Sequence, residues 1–451
     1  MYKRIHYYAF RIFYILKNWF ARRFTRGGVF VLIGLVTAAI MGIDTKQTVT
    51  YQAFTLLSCL LLVSMVTSLF FRVSFSAVRT LPRFGTAGDT VQYRITIQNK
   101  GKNIQKGLKL LENTENPCPT MREFLETPEP GEQNRNPVDR YFGYYRWLWL
   151  ISTRQNVYSK LVDIPDIQPG DTVEVIIDVQ PSRRGYIRFN GITIVRTCPL
   201  GLYNALKTIK LSQSLLILPK RYDLPPINIS GTRKYQSGGI ALASSVGDSE
   251  EFISMRDYRP GDPLRRIHWK SWAKVGKPVV KEYQDEFFVR HALILDTFHK
   301  TGYNPAFEGA VSIAASYACS LQTQESLLDL MFVGTEAYCF TAGRGLAHTD
   351  QFLDILASVM PCTDGEFEQL APLVLSRAQL LSGCVCVFIA WDEERKRLTN
   401  YLKGFGIPVF VYVITDEDHD NDTPDGGIEI AEANDFIRLR SDKIQEGLMT
   451  I

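Results

Sequence analysis

Two uncharged apolar stretches near the N-terminus dominate the hydrophobic pattern of the sequence. Residues 51–71 run for 21 positions without a charge, and residues 27–43 run for 17. At about 1.5 Å of rise per residue, a helix of the longer stretch spans the core of a bilayer, and the shorter one lies near the lower limit. The pattern predicts a hairpin of two transmembrane helices over residues 27–71. A buried core helix is the alternative for each stretch, and a cleaved signal peptide for the first.

Residues 72–224 show the two-residue alternation that is typical of half-buried β-strands. Apolar and polar residues alternate in short runs such as 91–97 and 173–179, and turn residues such as Asn99-Lys100-Gly101 follow them. Short alternating strands without a helical period predict an immunoglobulin-like β-sandwich.

An aromatic cluster interrupts this alternation. Residues 141–151 read YFGYYRWLWLI and follow a segment rich in Pro, Glu and Asn. We expect a strand or hairpin that packs on the sandwich. The alternative is that the cluster rests on the membrane or receives a partner.

In residues 289–451 short apolar runs alternate with helical periodicity. One run ends at Asp296, and another ends just before Asp392. Alternating strands and helices predict a mostly parallel, doubly wound sheet, in which ligands bind beyond the carboxyl ends of the strands. Residues 225–288, which precede this domain, are predicted to form a linker and a separate motif.

The position of the charges gives more information than their total. Lys and Arg number 51 against 47 Asp and Glu, a net charge of +4 that argues against nucleic acid as the main partner. Residues 1–26 contain seven Lys or Arg and no acid, and further arginines follow residue 71. The positive-inside rule therefore predicts a multi-pass protein of the cell inner membrane with cytoplasmic soluble domains.

The basic N-terminus has two interpretations. Residues 5–20 mix aromatic and basic side chains, as an interfacial helix does, and a plain basic anchor without a helix explains them equally well. The eight cysteines form no CxxC pair, which favours buried thiols in a reducing compartment.

The most specific motif lies in residues 251–286. It combines a Pro-Gly-Asp turn, a basic and aromatic segment, and a basic strand followed by acids. An internal network of ion pairs or a site for phosphate or nucleic acid would each explain this charge density. The residues that carry the motif are Arg256, Tyr258, Pro260, Gly261, Asp262, Arg265, Ile267, Trp269, Lys270, Lys281, Glu282 and Glu286. Asp262 is predicted to cap a helix that begins at Pro263.

This motif closely resembles the family known as domain of unknown function 58. The resemblance covers about residues 72–451, and residues 198–203 look like a second family motif. It implies a von Willebrand factor A-like α/β domain, a protein partner that is a MoxR-type AAA+ ATPase, and no established catalytic activity. The motif residues would then form the partner-binding signature.

The resemblance also raises the possibility of a metal site. The A-type domain holds Mg²⁺ with an Asp-x-Ser-x-Ser motif, a Thr and a later Asp, all oxygen ligands that suit this ion. Here Asp296 occupies the first position and Asp392 could be the later acid, but Phe298 and Lys300 replace both serines. A structural or partner-facing Asp296 is the alternative.

Three functions remain open. The first is a membrane-anchored cytoplasmic interaction or assembly factor that acts with the ATPase. The second is a structural, envelope-associated protein that binds through its sandwich. The third is a hydrolase that uses Asp262 and His268, although no GxSxG or HExxH motif occurs.

Overall fold

The computed structural model describes the chain with several gaps. The described residues are 2–42, 48–71, 73–158, 160–225, 252–262, 264, 267–283, 289–299, 304–320, 326–342, 346–363, 365–416 and 435–449. The chain divides into two compact units, of which the first is essentially Met1–Lys220. The predicted linker over 226–250 lies outside the described residues.

Three long helices open the first unit: α1 (Tyr2–Arg23), α2 (Arg26–Met41) and α3 (Thr48–Leu69). The hydroxyl of Thr25 caps α2 by accepting a hydrogen bond of 3.0 Å from the amide of Gly28. Of the described helices, α3 is the one that is long and apolar enough to cross a membrane, judged by length and composition, with a mean hydropathy of 1.8. The apolar α2 is shorter, at 16 residues.

Two antiparallel-rich sheets follow and enclose one core. Their strands are β1 (Phe75–Thr80), β2 (Phe84–Thr86), β3 (Val91–Asn99), β4 (Leu108–Thr114), β5 (Leu161–Ile164), β6 (Thr172–Val179), β7 (Gly185–Thr197) and β8 (Asn204–Leu218). One sheet has the order β1-β3-β6 and the other β2-β8-β7-β4-β5. Inward side chains of β3, such as Ile95, and of β7, such as Ile192, are fully buried in the same cluster. This arrangement is a β-sandwich, as the alternating pattern predicted.

A buried ion pair lies inside the sandwich. The guanidinium of Arg79 on β1 contacts the carboxylate of Glu112 on β4, and both side chains are at most 3% exposed. The hydroxyl of Tyr93 donates a 3.0 Å hydrogen bond to the same carboxylate, and burial raises the pKa of Tyr93 so that the hydroxyl keeps its proton. The guanidinium also lies 4.7 Å from the centre of the Phe189 ring. This network connects the two sheets.

The aromatic cluster is helical, so the predicted strand or hairpin over 141–151 is wrong. The insertion contains three short helices: α4 (Met121–Glu126), α5 (Pro137–Phe142) and α6 (Tyr144–Arg154). Gly143 adopts φ +69° between the last two and allows the sharp turn that separates them. The helical form is favoured because it places three side chains on one face that packs in a separate aromatic cluster with Tyr7 of α1. These side chains are Trp147, Leu150 and Ile151.

The second unit contains a hairpin with a short helix and a six-stranded sheet. The hairpin comprises β9 (Phe252–Asp257), α7 (Trp269–Val275) and β10 (Val279–Tyr283). The sheet strands are β11 (Val289–Leu295), β12 (Ser326–Val333), β13 (Ala337–Ala342), β14 (Gly383–Phe388), β15 (Val409–Thr415) and β16 (Phe436–Arg440). The remaining helices are α8 (Pro305–Ser320), α9 (Leu346–Ser358), α10 (Leu370–Leu375), α11 (Glu393–Gly404) and α12 (Ile444–Met449).

The sheet order is β13-β12-β11-β14-β15-β16. All neighbours pair in parallel except β12 and β13, which are antiparallel. The mostly parallel sheet agrees with the sequence pattern, and the antiparallel edge strand β13 was not predicted. From β11 the strands that follow in sequence, β12 and β13, lie on one side of it, and β14 to β16 lie on the other side. The strand order therefore reverses between β11 and β14, and their ends form the topological switch point.

The Arg79–Glu112 pair gives a test of the sandwich. Replacing Glu112 with the isosteric Gln leaves a buried guanidinium without its counter-charge, and such a loss costs about 3–5 kcal/mol. For the E112Q variant we expect a fall of roughly 10 °C in the thermal midpoint of the full chain in detergent. The exposed Lys109–Asp163 pair provides the control, since D163N should change the midpoint little. Equal midpoints for E112Q and D163N would contradict the ion pair.

Candidate functional site

The signature residues build a small hairpin with a helical turn. Strands β9 and β10 pair antiparallel, with Asp257 opposite Val279 and Arg256 opposite Val280. The amide of Tyr258 donates to the carbonyl of Pro278 at 2.9 Å and extends the ladder by one residue. The connection between the strands therefore carries the Pro-Gly-Asp turn and α7.

An ion pair holds this connection in place. The guanidinium of Arg256 binds both carboxylate oxygens of Asp262, at 2.7 and 2.8 Å. The amide of Arg259 adds a third hydrogen bond to the same carboxylate at 2.9 Å. Gly261 has φ +107°, a backbone conformation that other residues adopt only with strain. Two-pronged binding of this kind fixes both the distance and the orientation of the turn.

The hydrogen bonds from Arg256 hold the pKa of Asp262 at about 2, below its usual range. Because this folded-state pKa is lowered, the contact is fully present above the ordinary Asp pKa and is lost only as the pH falls through about 2. Asp262 thus stays ionised at physiological pH. The predicted helix start at Pro263 lies outside the described residues. Among the described residues, Arg256 binds both carboxylate oxygens of Asp262, and the helix α7 begins at Trp269.

Backbone hydrogen bonds and one buried apolar residue fix the position of α7 against the hairpin. Ile267 is buried and forms a bridge to Val280. The amide of His268 donates to the carbonyl of Val279 at 2.8 Å. These contacts place the start of α7 beside β10.

The hairpin and its helical turn carry several apolar side chains that are exposed or half-exposed. Trp269 is 63% exposed, and its ring stacks on that of Trp272 at 5.2 Å with an angle of 19°. Leu264, Met255 and Val275 are exposed nearby in sequence, at 67%, 46% and 61%. We call these five residues the tryptophan surface. Lys270 and Lys274 are exposed on the same helix. Large exposed apolar side chains held on a fixed scaffold are typical of interaction sites.

The other predicted signature residues have various positions. Pro260 lies exposed in the turn, and Lys281 and Glu282 lie in β10. Arg265 and Glu286 lie outside the described residues. Trp272, Leu264 and Met255 were not predicted as site residues, although the spacing of Trp269 and Trp272 along a helix was visible in the sequence.

His268 and Asp262, the two residues of the hydrolase hypothesis, have different partners. The Nδ1 atom of His268 shares a 2.6 Å hydrogen bond with the hydroxyl of Ser271, and that hydroxyl also donates to the sulfur of Met255 at 3.2 Å. Asp262 is bound to Arg256 instead. The geometry therefore does not bring the two hydrolase candidates together.

The second candidate site lies at the switch point of the six-stranded sheet. Asp296 follows β11, is fully buried, and accepts amide hydrogen bonds from Phe298 and Ile389, both at 3.1 Å. The Nε atom of Arg395 donates to it at 2.7 Å. A second nitrogen of Arg395 contacts Asp392, which also caps α11 through the amide of Arg395. One guanidinium therefore binds both acids.

These residues do not fit a divalent cation. The Arg395 guanidinium supplies the positive charge between the two carboxylates and lies 4.5 Å from the centre of the Phe367 ring. Phe298, at a position where a metal-binding motif has Ser, packs its ring 5.8 Å from that of Phe367. Within the described part of the chain, no group of three or more His, Cys, Asp or Glu side chains could hold a metal ion. Arg395 was not predicted as a site residue, since a base in a charged helix usually faces solvent.

We expect Arg395→Met to lower the free energy of unfolding by about 3–5 kcal/mol, because Asp296 loses its counter-charge while fully buried. The double variant D296N/R395M should recover part of this loss, which a double-mutant cycle on thermal midpoints measures. K396M is the matched control, since Lys396 forms an exposed pair with Glu393 on the same helix. Millimolar Mg²⁺ should leave the midpoint of the unaltered chain unchanged, and a clear rise would contradict the assignment of Arg395 as the cation.

Comparison with known proteins agrees with the signature. Residues 254–391 match the model of a family described as "Protein of unknown function DUF58". The uncharacterized protein YeaD of Bacillus subtilis (strain 168) is 25% identical over 178 residues, which cover 39% of this chain and 42% of YeaD. The match thus spans less than half the length of this curated relative.

Solved structures show weaker likeness. The CARDB domain of a Pyrococcus furiosus protein, solved with di-metal ions, covers 33% of this chain and 91% of its own, with 9% identity and a TM-score of 0.18. A GH20 exo-β-N-acetylglucosaminidase of Vibrio harveyi covers 75% of this chain and 57% of its own, with 9% identity and a TM-score of 0.14. At these scores neither likeness bears on the fold. By its sequence, residues 254–391 of this chain form a domain of the DUF58 family.

Proposed function

We propose that the chain is a membrane-anchored interaction factor that binds a protein partner through the tryptophan surface. The observation that carries this proposal is the exposed Trp269, stacked on Trp272 beside a turn fixed by the Arg256–Asp262 pair. Aromatic side chains presented on a rigid support are the usual anchors of protein interfaces. At the switch point, where ligands of doubly wound sheets normally sit, Arg395 already binds Asp296 and Asp392, so we place the binding site on the tryptophan surface instead.

The chemistry of the surface indicates the kind of partner. It combines apolar side chains with Lys270 and Lys274, so it suits an apolar pocket with an acidic rim. The resemblance to the DUF58 family suggests that the partner is a MoxR-type AAA+ ATPase. In this proposal the chain performs no catalysis itself, and its α/β unit is a von Willebrand factor A-like domain. The strand order with one antiparallel edge strand supports that assignment.

The anchor in this proposal is a two-span hairpin with the soluble units in the cytoplasm and an immunoglobulin-like sandwich next to it. Helices α2 and α3 pack together, and the small residue Gly34 of α2 faces Leu57 of α3. The bases before α2 support a cytoplasmic N-terminus.

Replacing Trp269 with Ala should weaken capture of the ATPase by the full chain about 30-fold, since central aromatic anchors contribute about 2 kcal/mol. The measurement is binding of purified MoxR-type ATPase, with ATP, to the detergent-solubilised chain on a sensor surface. Tyr401→Ala is the matched control, because Tyr401 is 58% exposed on α11 of the same unit.

Equal binding by W269A and Y401A, with thermal midpoints unchanged, would exclude the tryptophan surface. Binding that is lost only when the sandwich is exchanged for another would instead favour the envelope-associated alternative.

The orientation can be tested independently. Because the N-terminal bases keep the N-terminus inside, we expect alkaline phosphatase fused after residue 451 to be inactive and a fluorescent protein fused there to be bright. The same fusions made in the connection between α2 and α3 provide the control, which should show phosphatase activity. An active phosphatase at the C-terminus would contradict the proposed orientation and an intracellular ATPase as partner.

A further inference from the structure

Helix α1 uses one face for packing within the protein. Tyr7 and Phe10 place their rings 5.7 and 6.0 Å from that of Trp147, and Tyr7 lies 5.9 Å from Phe124. The hydroxyl of Tyr7 also donates to the carbonyl of Pro119 at 3.0 Å. The insertion helices therefore cover this face, which rigidly attaches α1 to the sandwich unit.

The opposite face of α1 is apolar and exposed. At about 100° of rotation per residue, its side chains are centred roughly 150° from the packed face. The exposed fractions range from 57% to 65%, far above what a water-soluble helix usually leaves open in one continuous stripe. The largest members of this face are Ile5, Ile12, Phe13 and Leu16.

Basic residues border the apolar face, and no acid accompanies them. Arg4 and Arg11 lie along one edge and Lys17 along the other, according to the same rotation. The first acidic residue of the chain is Asp44. An apolar stripe between rows of bases matches the interface of a bilayer with anionic lipids, where the bases meet headgroups.

The C-terminal end of α1 meets the membrane hairpin. Phe20 and Phe24 pack in one cluster with Leu32 of α2 and Leu61 of α3. The ring of Phe24 also lies 5.2 Å from that of Tyr203, on the sandwich. The helix α1 therefore ends at the level where the chain enters the hairpin.

The covered face shows why α1 does not itself enter the bilayer core. The insertion helices that pack on it carry charged pairs such as Arg154–Glu123 and Arg122–Glu126. Charged groups of this kind remain in water or at the interface. With a charged, hydrated unit on one side and an apolar stripe on the other, α1 occupies the boundary between the two phases.

We propose that α1 lies in the plane of the membrane interface, with its apolar face inserted among anionic lipids. This inference is independent of the proposed ATPase partner. The exposed aromatic residues Tyr141 and Phe142, whose rings lie 5.4 and 5.2 Å from that of His6, extend the contact beside the N-terminal half of α1. Tyr and Trp side chains favour this depth of a bilayer.

A photo-crosslinking amino acid tests the position of α1 in the full chain. Benzoylphenylalanine replaces Phe13 on the exposed face, Leu62 of α3 as the membrane reference, or Ile176 of β6 as the exposed control. Leu62 and Ile176 are 61% and 58% exposed. Each variant is reconstituted in bilayers of phosphatidylcholine with phosphatidylglycerol, irradiated, and examined for lipid adducts by mass spectrometry. We expect position 13 to yield adducts about tenfold above position 176 and comparable with position 62.

The same experiment identifies the lipid. Adducts at position 13 should contain more phosphatidylglycerol than its share of the bilayer, and a variant with Arg4, Arg11 and Lys17 changed to Gln should lose this enrichment but keep the adducts at position 62. Absence of lipid adducts at position 13, with adducts present at 62, would overturn the proposal. A crosslink from position 13 to a second chain would also overturn it, because a protein would then cover the face.

Discussion

The ion pair between Asp296 and Arg395 determines what the α/β unit can do. A carboxylate at the end of a central strand would normally face the crevice where such sheets bind ligands. Here two amides and a guanidinium take up its oxygens, and the guanidinium also reaches Asp392. The positive charge between these two carboxylates therefore comes from the protein's own Arg395. In the proposed function, recognition by this unit therefore takes place at the exposed Trp269.

Internal arginine–carboxylate pairs recur where the chain needs rigidity. Arg79 and Glu112 connect the two sheets of the sandwich, and Arg256 and Asp262 fix the signature turn. Each buried or half-buried guanidinium is oriented by more than one contact, which a lysine could not reproduce. In contrast, the first 43 residues contain no acid. Two bases at the end of the N-terminal helix bind neutral groups of the sandwich instead: Arg22 binds the side chain of Asn113, and Arg23 binds the carbonyl of Asn204.

Local sequence patterns predicted most helices and strands. The features that they did not predict depend on contacts between residues far apart in the sequence. Alternation revealed the sandwich strands, and buried runs that end in acids revealed β11 and β14. The aromatic segment 141–151 has too few polar residues to show a period, so its helix became visible only through the packing of Trp147 on α1. Arg395, the partner of Asp296, lies 99 residues away in a highly charged helix, whose side chains are expected to face solvent. The signature residues were identified as a set. The sequence could not show which of them pair with each other, as Arg256 and Asp262 do, and which are exposed, as Trp269 is.

If α1 lies in the membrane interface as proposed, it also constrains the orientation of the sandwich relative to the bilayer. A single span leaves a soluble domain free to rotate about the bilayer normal and to tilt, because one helix fixes only one direction. The end of helix α1 is joined to α2 and α3 through the cluster around Phe24, and its start is joined to the insertion through Tyr7, so it has attachments at both ends. If its apolar face is embedded, the helix defines a second direction in the membrane plane. The sandwich is then fixed in tilt relative to the bilayer by contacts that lie wholly within residues 1–220.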